Sequence, residues 1–225
     1  MVSALTASPF FIVDAEHICD LTVYEFPASL IDLVIPSVKN PDSLVESYNQ
    51  LAPLHSTVLK HHQEVVTLLA NHQGDVDITT DHGETPLHLA VIKGNVETAR
   101  ELLDNGPDIN VQNSRGEMPL HMAVTFNYQD ITEFLLSRNA DVDLKDTFGF
   151  SSLALASSET TGMVEFFAEY LEEDPNGLFV DDLLVRQDAA QSAARSLLEE
   201  KSIGPVDNLV GKHELSMRIN RQEKY

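Results

Sequence analysis

The chain has 225 residues, with 14 lysines and arginines against 36 aspartates and glutamates and a net charge of −22. Such a field repels phosphate backbones and favours basic partners, so DNA and RNA are disfavoured as ligands. The one cysteine, Cys19, excludes an internal disulfide, and no apolar run approaches the roughly 18 residues of a membrane-spanning helix.

Residues 1–48 show no repeat. The first basic side chain is Lys39, so no basic n-region of a secretory signal is present, and cytosol or nucleus is the expected location. Asp14 to Phe26 reads as a short helix. A second opens at Pro27 and ends at Pro36. The expected role is a helical cap. The stretch Phe26–Ile35 also faintly resembles the start of an F-box, which implies the alternative of a ubiquitin-ligase substrate receptor docking through this segment.

From residue 49 a period of 33 governs the chain. Pro53-Leu54-His55, Pro86-Leu87-His88 and Pro119-Leu120-His121 are one tripeptide in three registers, and the next step falls on Ser152-Leu153-Ala154. Such a period marks stacked supersecondary units. In the second unit Gly83 serves a tight turn, Thr85 caps a helix, and Pro86 takes its first position. Leu87, Ala90 and Val91 share one face, and Gly94 stops the helix. A second helix runs from about Val96 to Asp104 and ends at Gly106. In the third unit Asn127 and Asn139 replace those two glycines, since asparagine tolerates the left-handed region.

The run Gly83-Glu84-Thr85-Pro86-Leu87-His88-Leu89-Ala90 resembles the ankyrin-repeat signature, and Asp108-Ile109-Asn110 resembles its closing motif. The resemblance implies an all-α fold, an ankyrin-repeat α-solenoid of helix-turn-helix units with β-hairpin loops, flanked by helical N- and C-terminal segments. Its repeats fall at about 49–80, 81–113, 114–146 and 147–170. Departures lie at the ends: Gln50 and Ala52 replace glycine and threonine, and the fourth repeat lacks proline and histidine. The resemblance implies that His55, His88 and His121 bond the neighbouring hairpin backbone. Leu102 with Asp108-Ile109-Asn110 also resembles the substrate pattern of asparaginyl hydroxylases, which makes Asn110 a candidate hydroxylation site. The alternative is that Asn110 only bridges its turn.

Chemistry is sparsely coded. His61, His62 and His72 lack a cysteine or carboxylate cluster to complete a zinc set. Cys19 has no evident base partner, and no nucleophile elbow, phosphate loop or dinucleotide fingerprint occurs. No enzyme, cofactor or metal is expected. The expected function is protein binding by a monomeric adaptor or inhibitor, through hairpin tips and inner helices that line the concave groove of such proteins. The candidate contacts are His82, Glu84, Ile92 and Lys93 in the second repeat, Arg115, Glu117 and Phe126 in the third, and Phe148 and Phe150 in the fourth. Three converging aromatics would anchor the partner, with Glu84, Glu117 and Glu159 steering a basic segment of it. Beyond the repeats, 171–203 reads as a capping helix, with Val180, Leu183, Leu184 and Ala190 at helical spacing, and 204–225 as a basic tail.

Overall fold

A computed structural model describes residues 14–23, 27–38, 42–45, 51–72, 75–156, 162–163 and 166–167. The C-terminal helix and basic tail expected from the sequence, and Glu159, lie outside these residues. The chain divides into two compact units, the first ending at Asp108 and the second beginning at Ile109.

In the first unit, α1 (Ala15–Val23) and α2 (Ala28–Val34) precede two helical hairpins. These are α3 (Pro53–Leu59) with α4 (Gln63–Asn71), and α5 (Pro86–Ile92) with α6 (Val96–Asp104). Proline sits at the first turn of α3 and α5, where its missing N–H leaves no bond unmade. Thr85 is in the extended region and its hydroxyl accepts the His88 N–H, while His88 Nδ1 accepts the Thr85 N–H at 3.1 Å. Ala52 has no such oxygen, so α3 keeps only the return half of the box, Ala52 N–H to His55 Nδ1 at 3.2 Å. The short α3 and α5 are buried almost throughout. In the longer α4 and α6, residues such as Val65, Val66, Ala99 and Leu102 face the core. Inner helix packs on inner helix, α3 on α5, and outer on outer, α4 on α6.

The N-terminal pair follows the same rule. α1 packs on α3 and α2 on α4, so the pair stacks as a further inner and outer helix. Ile18, Cys19, Ile31 and Ile35 are buried there. Val45 and Leu51 form an antiparallel bridge before α3, with Val45 N–H to Leu51 O at 3.1 Å. Asp42 Oδ1 takes the Asp75 N–H at 3.1 Å, as Asp77 Oδ1 takes that of Asp108. One loop carboxylate thus fixes the start of the next closing turn.

In the second unit α7 (Pro119–Thr125) forms a hairpin with α8 (Gln129–Ser137) and packs on α9 (Ser152–Leu155). Ser151 caps α9 by accepting the Ala154 N–H at 3.3 Å. A Lys145–Ser151 bridge closes the hairpin before it. Asn127 (φ 56°) and Asn139 (φ 63°) hold the left-handed positions after α7 and α8. Among the described residues there are no extended strands, and no helix is long and apolar enough to cross a membrane.

Candidate interaction surface

Among the described residues, three hairpin turns are each built around one buried polar residue. Thr80 Oγ1 accepts the N–H groups of His82 (3.3 Å) and Glu84 (3.2 Å). Asn113 Oδ1 accepts those of Arg115 (2.8 Å) and Glu117 (3.0 Å). Asp146 Oδ1 accepts those of Phe148 and Phe150, both at 2.9 Å. The backbone closes the same loop each time, for example Asn113 N–H to Glu117 O at 2.9 Å. Thr80, Asn113 and Asp146 are therefore the residues that aim the tips, and the sequence reading passed over them. Their signal was a side-chain oxygen recurring every 33 residues just ahead of the turn.

This geometry sorts the candidate contacts. The second of the two N–H groups that the buried oxygen takes belongs to Glu84, Glu117 or Phe150, and all three are buried. Glu117 is fully enclosed, with Oε2 accepting from Asn113 Nδ2 at 2.9 Å and facing Arg115 Nε at 3.0 Å. Its charge is spent inside the hairpin and cannot steer a partner, so that expectation is corrected. Glu84 is buried as well, which takes the steering role from it too. Ile92, the last residue of α5, is also buried, and Phe150 belongs to the interior. The first N–H belongs to His82, Arg115 or Phe148, and these reach solvent. His82 Nδ1 lies 3.2 Å from Asp81 Oδ1.

The ends of the inner helices form a second set. Lys60 and Lys93 follow α3 and α5 in the first unit, and Phe126 follows α7 in the second, all solvent-accessible. Phe126 and Tyr128 have ring centroids 5.8 Å apart. The three phenylalanines do not converge. Thr147 N–H bonds Arg115 O at 3.0 Å, which places the Phe148 turn beside the hairpin that precedes α7. Phe126 caps the other end of that helix, about 10 Å away along seven residues of rise.

Two of the repeat histidines bond the neighbouring hairpin backbone. His55 Nε2 reaches Ile78 O and His121 Nε2 reaches Phe150 O, each at 3.1 Å, while Nδ1 accepts from the chain at Ala52 or Met118. Burial pushes His55 down to about 4. Asn110 Oδ1 accepts the Asp141 N–H at 2.9 Å, so the turn-bridging role is present whether or not the residue is modified. Burial pushes Cys19 up to about 11 despite a contact from Ser56 Oγ at 3.5 Å. A thiol held protonated is a poor nucleophile. A cleft of about 550 Å³ opens among α2, α4 and α6, with Asp32, Glu64, Leu68 and Glu101 in its wall. Among the described residues no group of His, Cys, Asp and Glu is arranged to hold a metal ion.

Paired helices joined by left-handed loops, and turned hairpins between the pairs, define a helical repeat protein. Residues 23–113 match the family described as ankyrin repeats in three copies, and 102–156 match ankyrin repeats in many copies. The chain belongs to the ankyrin repeat family and has the all-α ankyrin fold expected of it. The match begins at residue 23, inside the stretch expected to stand apart as a cap, and takes in α2. No curated protein matches the chain. Ankyrin repeats are generic protein–protein interaction modules and are typically non-enzymatic.

Proposed function

We propose that this protein is a monomeric adaptor or inhibitor of the cytosol or nucleus. It binds another protein through the tips of its hairpins and the ends of its inner helices. The observation that carries the reading is the accessibility of Phe126 and Phe148. Their counterparts 33 residues earlier are Lys93 and Arg115, so aromatic area stands where the same register elsewhere is charged. Aromatic side chains supply much of the energy of protein contacts. Because the two rings lie at opposite ends of α7, they make two anchors and not one patch.

The substrate-receptor alternative draws less support. Its Phe26–Ile35 stretch contains Ile31 and Ile35, both buried, and α2 is laid against α4. An F-box must turn such residues toward a ligase scaffold.

Proximity labelling with wild type, Phe126→Ala and Phe148→Ala tests the proposal. Each variant should lose the leading labelled partner while its thermal midpoint stays within about 2 °C, as expected for surface truncations. A large fall in midpoint with unchanged labelling would mean that the rings serve internal packing instead.

A further inference from the structure

The first layers show what surrounds an inner helix. α3 has α1 before it, α5 after it and its own outer helix α4, and Pro53 to Val58 are buried. α1 opens the series, and it leaves Glu16, His17, Asp20 and Leu21 at least partly exposed. α9 is the last inner helix among the described residues, yet its burial is that of α3. From Phe150 to Ala156 no residue is more than 5% exposed. A helix buried all round has neighbours all round.

Two of those neighbours are accounted for. α7 packs on α9, as α1 does on α3. Met163, Phe166 and Phe167 are helical and buried, and they fall one period after α8, in the register of an outer helix. The third neighbour would be an inner helix on the far side, as α5 is for α3, and no described helix follows α9 in that place. The chain beyond Phe167 is the nearest supply. Residues 168–225 lie outside the described residues, and in their sequence Leu183, Leu184, Ala190, Ala194, Leu197 and Leu198 share one helical face. Asp181, Asp188, Ser192 and Glu199 fall opposite. One apolar and one polar face is what the end of a repeat stack requires. A link over 168–178 reaches about 35 Å when extended, enough to turn back across a helix pair.

We propose that residues 179–202 form the layer beyond the fourth repeat, with their apolar face on the far side of α9. The occupant of that face is a segment of this chain, not a partner protein and not a second copy. Attachment to the same chain holds the segment at the face at high effective concentration, an advantage that a separate molecule lacks. The contact is independent of partner binding at Phe126 and Phe148, so either can fail without the other.

Hydrogen exchange on the full chain tests it. In Leu183→Asp/Leu184→Asp, protection of the bonded amides of Ala154, Leu155 and Ala156 should fall about tenfold or more, while that over α6 holds. Val185→Asp adds a charge to the opposite face of the segment and should exchange as wild type does. A second measurement avoids a disruptive change. A nitroxide on Ser192→Cys, on the polar face, should broaden the same three amide signals within one molecule, and the buried Cys19 takes no label. Unchanged protection in the double variant, equal loss in Val185→Asp, or absence of broadening would each overturn the inference. So would broadening seen only when spin-labelled and isotope-enriched chains are mixed, since a second copy would then occupy the face. If the double variant loses protection everywhere, the broadening decides.

Discussion

Two glycines with the same backbone sign separate two kinds of constraint. Gly106 (φ 81°) ends α6 and has open space where a side chain would begin, with nothing within 4 Å. Gly116 (φ 72°) lies in the hairpin before α7, where a methyl group would come 2.8 Å from Thr147 N and 3.1 Å from Asp146 C. Those atoms are backbone, held by the bond from Thr147 N–H to Arg115 O. Gly106→Ala should therefore cost about 1 kcal/mol, the left-handed penalty alone. Gly116→Ala adds a clash that only movement of the next hairpin can relieve, and should cost about 3 kcal/mol. Urea unfolding of both variants measures the gap. Equal losses would mean that the two hairpins are not seated on each other.

Among the elements, those with period and punctuation were legible. The span Val96–Asp104, the Thr85 cap, and the left-handed Gly94 and Asn127 stand as the residues imply, because each depends on neighbours within one turn. The fates of Glu84, Glu117 and Phe150 were not legible. Each lies one step before a helix cap and looks free to point outward. It is the oxygen of Thr80, Asn113 or Asp146, four residues back, that draws its N–H inward. The stacking of α1 and α2 was hidden too, since no Pro-Leu-His marks them and the period does not reach back cleanly. Their placement yields a test. Ile18, Cys19, Ile31 and Ile35 are buried, and at about 25 cal/mol per Å² their removal outweighs any local loss. Deleting residues 1–38 should lower stability by about 3 kcal/mol or more and shift the urea midpoint accordingly. A fully stable truncation would reopen the F-box reading.

For the whole molecule, acid and salt act on different groups. Burial, chiefly, raises Asp77 above the ordinary carboxylate range, helped by Asp75 and Asp108, although the bond from the Asp108 N–H opposes it. A carboxylate so placed is less favourable charged than in the unfolded chain, so it weakens the fold as pH rises through its range. Part of that penalty is like-charge repulsion, which salt screens at neutral pH. His55 works the other way. With a folded value of about 4 against 6.5, its unfolded form binds a proton that the native form refuses. Its stabilising contribution is complete above pH 6.5 and is lost as pH falls toward 4, about 3 kcal/mol in all. Protonation would also place a hydrogen on Nδ1, which already accepts the Ala52 N–H. Added salt at pH 7 should therefore raise the thermal midpoint, whereas acidification from 6.5 to 4 should lower it before the carboxylates are neutralised. His55→Gln, whose side-chain oxygen can still meet the Ala52 N–H, should start less stable yet show a flatter pH profile over that window. If its profile falls as steeply as that of the wild type, the acid sensitivity belongs to other groups and His55 is only a spacer between hairpins.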